Sequence, residues 1–120
     1  MTENLEDLEQ FNLLSGVRAL WLFTRFDLPV KTKKERRVYT RFRKALIREG
    51  FVMLQFSVYA RYCKSDETAT WFRERVRAEL PAKGQVRLLS VTDRQFGKMD
   101  VFFGKETEAV EEPPHQFELF

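Results

Sequence analysis

Between Val17 and Phe26 the chain reads VRALWLFTRF, with Leu20, Leu22 and Phe26 alternating against Val17, Ala19, Trp21 and Phe23. A period of two with apolar residues on both sides predicts a strand covered on both faces, bounded by Gly16 and by the turn Asp27-Leu28-Pro29. The pattern then changes. Val38, Phe42, Ala45 and Leu46 recur at helical spacing within residues 31–49, and Gly50 is placed to end that helix. From Phe51 to about Tyr62 the run FVMLQFSVYARY returns to alternation and reads as one second strand, with Val52, Leu54, Phe56, Val58 and Ala60 on its apolar face. Ser65 or Asp66 caps a second helix whose buried stripe is Ala69, Phe72, Val76 and Leu80, and Pro81 stops it. Gln85 to Thr92 makes a third strand after Gly84, and Met99 to Phe103 a fourth after a loop holding Asp93, Phe96 and Gly97.

These elements are read as an α+β chain, a ferredoxin-like domain of βαββαβ order spanning residues 17–104. Helices on one face of a four-stranded sheet leave the other face open, and its apolar residues need cover. A homodimer with the two sheets packed face to face is the simplest answer, because a two-fold interface uses one patch twice. Residues 105–120 form a tail in which EEPP precedes QFELF, Gln116 to Phe120. A polar linker delivering a short apolar strand suggests an extra C-terminal strand that exchanges onto the partner's sheet edge, the alternative being a frayed end.

Charge adds the next constraint. Residues 1–16 carry four acids and no bases, residues 17–105 carry 21 bases against nine acids, and residues 106–120 carry five acids and no bases. A core of net charge about +12 between acidic ends suggests a polyanionic partner such as nucleic acid, against the plainer reading of charge for solubility. No run approaches the roughly 18 apolar residues of a membrane span, and the acidic start is unlike a secretion signal, so no membrane partner is expected and the expected compartment is the cytoplasm. Cys63, the sole cysteine, and His115, the sole histidine, exclude an intramolecular disulfide, a cysteine-based zinc site and triad hydrolysis.

Two groups of residues remain as candidate chemistry. The first helix bears Lys33, Lys34, Arg36, Arg37, Arg41, Arg43, Lys44 and Arg48, and Arg37, Arg41, Lys44 and Arg48 share one face. Arginine forks grip phosphate oxygens without reading bases, so this face suits a nucleic-acid backbone; the plainer alternative is a solvated helix surface. Arg73, Arg75 and Arg77 are interleaved with Glu74 and Glu79, and Arg18, Arg25, Arg61 and Arg87 lie on strands, flanking a phosphate path or reaching the sheet rim. Asp27, at the end of the first strand, is either a turn residue before Pro29 or a hard oxygen ligand. Two copies of it, facing across a dimer axis, would share a hydrated Mg2+ or Mn2+. The stretch Glu49 to Phe56 is faintly like the aromatic signature of an RNA-recognition sheet, but sits on the wrong strand.

The residues LFTRFDLPVKTKKERRVYTRFRKALIREGF, then MLQFSVYARYC and VRLLSVTDRQFGKMDVFFG, resemble the CRISPR-associated protein 2 family over roughly Val17 to Gly104. The resemblance implies a ferredoxin-like homodimer with a crossing strand after the fourth, flanked by two dimers of the CRISPR-associated integrase. It implies a scaffold that holds the double-stranded DNA of a new spacer on basic surfaces. It also implies, for some members, a metal-dependent endonuclease acting on RNA or DNA through an aspartate matching Asp27. Two features depart from the family pattern: the acidic stretch before Val17, and Phe26 where many relatives carry Tyr.

Overall fold

Strand β1, Leu20–Asp27, is the centre of the molecule because its two faces are both apolar and both are used. The computed structural model describes residues 18–114. Along β1 the side chains of Leu20, Leu22, Thr24 and Phe26 are buried on one side, while Trp21 and Phe23 pack on the other. Helix α1, Lys33–Arg48, and helix α2, Asp66–Ala78, cover the first side through Phe42, Ala45 and Leu46 and through Ala69, Phe72 and Val76. Each fully buried Leu or Phe there contributes about 1.5–3 kcal/mol of transfer free energy. Ser65 is the cap of α2, accepting from the Thr68 amide at 3.2 Å.

The run read as a single second strand is two strands. β2, Val52–Gln55, and β3, Val58–Cys63, pair antiparallel around a turn at Phe56 and Ser57. Ser57 takes a left-handed φ of 65°, and its carbonyl accepts from the Phe26 amide at 3.1 Å. This hairpin supplies the middle ββ of the βαββαβ order. β4, Gln85–Thr92, then pairs with β1 along its whole length, giving a fully antiparallel sheet of order β2-β3-β1-β4.

Met99 to Phe103, read as the fourth strand of that sheet, is not part of it. Val101–Phe103 forms β5 of a separate two-stranded sheet with β6, Glu106–Glu108. The preceding loop contains a short helix, α3, Asp93–Gly97, capped by Thr92. α3 lays Phe96 against Trp21, ring centroids 4.1 Å apart and nearly parallel, while the Trp21 indole donates to Asp93 at 2.9 Å. The face opposite α1 and α2 is therefore covered in part from within the chain. Leu89 stays 61% exposed on it and Val52 48%. The acidic residues 1–16, His115 and the QFELF strand lie outside the described residues. No helix among the described residues is long and apolar enough to cross a membrane.

Candidate nucleic-acid interface

α1 begins with a reciprocal cap. The Thr32 hydroxyl accepts from the Glu35 amide at 3.0 Å, and the Glu35 carboxylate accepts from the amides of Thr32 and Lys31. Those backbone bonds hold the Glu35 carboxyl below its usual pKa, so the negative end of the cap is set at neutral pH. With its buried stripe facing the sheet, α1 turns Lys33, Arg37, Arg41, Lys44 and Arg48 to solvent along one flank, with Lys34 beside them. Lys33, Arg36, Arg37, Thr40, Arg41 and Lys44 line an open groove of about 500 Å3.

Not all the predicted bases are equally available. Arg36 spends its guanidinium on the carbonyls of Val30 and Lys31, which secures the entry to α1. Arg48 reaches Glu79 at 3.5 Å, with both side chains largely exposed. Lys33, Lys34, Arg37, Arg41, Arg43 and Lys44 make no hydrogen bond or ion pair among the described residues. Arg43 lies off the stripe, on the flank of α1 toward the β2–β3 hairpin.

Other bases serve the fold. Arg61 donates to the carbonyls of Glu49 and Tyr62 and sits 4.1 Å over the Phe72 ring. Arg73 donates to Ser90, and Arg75 binds Glu49 while lying over Trp71. Arg25 and Arg87 stand directly opposite one another on β1 and β4, both exposed. Two like charges in that position repel, and a neighbouring anion would relieve them.

Asp27 is the last residue of β1 rather than part of the turn, paired with Gln85 and exposed. Its carboxylate makes no hydrogen bond or ion pair among the described residues. Alternation places it on the same face as Trp21, Phe23 and Arg25, the face opposite the helices. Gly84 permits this strand end to close. At φ +96°, a Cβ on it would come within 2.7 Å of the Asp27 carbonyl and of the Leu28 side chain. Phe26 points the other way, buried among Tyr39, Phe42 and Tyr59, so the ring at this position faces away from Asp27. Among the described residues no three His, Cys, Asp or Glu side chains gather into a metal-binding group. A single chain supplies one carboxylate at Asp27; a two-fold pair would bring a second, with water completing the shell of a bound cation. Cys63 is fully buried and burial pushes its thiol pKa up, which suits a packed strand residue and not a nucleophile.

The sequence profile of the family described as CRISPR associated protein Cas2 matches residues 20–99. The chain belongs to the Cas2 family. Among its relatives, the CRISPR-associated endoribonuclease Cas2 of Flavobacterium psychrophilum is 43% identical over 112 residues, 93% of this chain and 97% of that protein. The protein of the same name from Parvibaculum lavamentivorans is 46% identical over 101 residues, 84% of this chain and all of the relative. That of Paracidovorax avenae is 42% identical over 108 residues, 90% of this chain and all of the relative. The Flavobacterium alignment leaves only about eight of the 120 residues outside it. At least half of the acidic stretch before Val17 therefore has a counterpart in another Cas2.

Proposed function

We propose that this Cas2 is a dimeric scaffold for double-stranded DNA in CRISPR spacer acquisition, gripping the duplex by its phosphates. The flank of α1 supports this most directly: Lys33, Arg37, Arg41 and Lys44 are exposed, share a face and have no acidic partner among the described residues. Such a row neutralises successive phosphates and is blind to base sequence. A pair of protomers meeting through the face that carries Leu89 and Phe23 would bury that apolar surface and double the row. The proposed neighbours are two dimers of the CRISPR-associated integrase, one on each side.

The test is duplex binding across a salt series, with the oligomeric state measured by sedimentation. A dimer making 6 to 10 phosphate contacts loses roughly 10³- to 10⁵-fold in affinity between 50 and 200 mM salt. A monomer with a flat salt response would remove the proposal. Co-purification with the integrase, followed by insertion of short duplexes, tests the partner.

A second reading is favoured by the exposed, unpaired Asp27 carboxylate and by relatives that carry the word endoribonuclease in their names. In this reading the Asp27 carboxylates of two protomers would hold a Mg2+ or Mn2+ ion, which would supply positive charge to steady a phosphodiester. The chain's own contribution is placement. Gly84 and the Phe26–Ser57 backbone bond fix the strand end, and Arg25 and Arg87 offer positive charge on the same face.

A further inference from the structure

The β2–β3 turn carries a feature that phosphate binding does not use. Phe56 is 77% exposed, the most exposed large apolar side chain among the described residues. It is not loose. Its ring stacks on Tyr39 of α1 at 5.7 Å with the planes 18° apart, and the Tyr39 hydroxyl is hydrogen-bonded to Ser57 at 3.0 Å. Tyr39 is itself wedged against buried Phe26. The turn is thus clamped to both α1 and β1, and one face of the Phe56 ring is held out to solvent.

Its surroundings identify what fits that face. Arg36 precedes Tyr39 by three residues and Arg43 follows it by four, so both are neighbours of Tyr39 on its side of α1. Arg36 is tied to backbone carbonyls, whereas the Arg43 guanidinium has no polar partner among the described residues. The Ser57 carbonyl bonds the Phe26 amide, which puts this platform at the end of β1 that carries Asp27. A flat ring backed by a second ring, with a free cation one helical turn along from the backing residue, matches a nucleobase on its π-face and the adjoining phosphate on the guanidinium.

We infer that Phe56, backed by Tyr39 with Arg43 one helical turn along from it, is a stacking platform for an unpaired nucleotide. The ligand class is a single-stranded tail or frayed end on a bound duplex, and stacking makes the site tolerant of base identity. The inference rests on the polynucleotide reading above and adds to it a distinction between paired and unpaired ends.

The experiment compares a blunt duplex with one of equal length bearing a short single-stranded tail. Wild-type protein binds the tailed duplex more tightly. Phe56→Ala removes that preference, by roughly 5- to 150-fold, the range set by base–aromatic stacking, and leaves blunt-duplex affinity unchanged. Phe56→Trp keeps the preference and Phe56→Leu, apolar but not flat, loses it. Because Phe56 is exposed, equal melting temperatures for the variants check that folding is intact. Equal affinity of wild type and Phe56→Ala for the tailed duplex, or retention by Phe56→Leu, overturns the inference. A short single strand containing 2-aminopurine gives an independent readout: wild type quenches its fluorescence and Phe56→Ala does not. Salt-insensitive duplex binding with that difference in quenching intact would sink the phosphate scaffold and leave the platform standing. No difference in quenching sinks the platform.

Discussion

The Arg75 guanidinium lies 2.6 Å from the Glu49 carboxylate, joining the last turn of α2 to the C-terminal cap of α1. That bond, the chief cause, holds the Glu49 carboxyl below its usual pKa. A carboxyl depressed in the folded state stabilises fully above its unfolded pKa of about 4.3 and loses that contribution as pH falls through the lower folded value. Glu49→Gln is therefore expected to melt below wild type at pH 7. The gap should narrow once pH drops below about 4. Thermal melts of both proteins across that window check it; a gap that widens in acid would contradict the assignment.

Thr24 occupies the fully buried centre of the sheet face under α1 and α2, and its hydroxyl has no partner among the described residues. An unpaired buried hydroxyl forfeits about 1–3 kcal/mol, so an apolar group of the same shape is favoured there. Thr24→Val is expected to stabilise by about 1 kcal/mol in urea unfolding with an unchanged m-value.

Arg37 and Arg41 lie one helical turn apart on the exposed flank of α1. Replacing both by Ala should weaken every duplex alike, whatever its sequence. The slope of log affinity against log salt should fall by about 1 for each phosphate contact removed. Selective loss for one sequence would mean that this face reads bases.

Asp27→Asn changes a charge and little else at an exposed strand end. Any Mg2+-dependent cleavage by the protein is expected to drop by at least the roughly 10- to 100-fold that loss of even an outer-shell partner costs, while duplex affinity holds. Retained cleavage would place the chemistry elsewhere; lost duplex binding with folding intact would make Asp27 part of the scaffold.

Much of this was readable from spacing alone. Phe42, Ala45 and Leu46 marked the buried side of α1 and so the side on which Arg37, Arg41 and Lys44 had to emerge. Asp27 was read into the turn before Pro29, whereas the strand runs on through it and sets it on the face away from the helices. The hairpin was hidden because FVMLQFSVYARY keeps a strand-like pattern through its turn: Ser57 adopts the left-handed conformation with no Gly, Asn or Pro to signal it. The same continuity disguised Phe56, which alternation assigns to a sheet face and the turn lifts onto Tyr39. The cap Thr32-x-x-Glu35 was legible as a pattern, but Lys31 to Lys34 read chiefly as charge. That Arg61 and Arg75 bind within the fold depends on contacts between distant segments, which one-dimensional spacing does not encode.

The carboxylate of Glu35, seated on the first turn of α1, occupies the Lys31 and Thr32 amides and sets a negative charge at that helix end. Under the proposed scaffold role, that charge would favour a duplex lying along the basic flank over one abutting the helix tip. A flank bearing near-equivalent cations has no single resting phase, so one step along the duplex exchanges each contact for a similar one. A dimer of the proposed kind would thus be suited to drift along DNA until something else fixed its position.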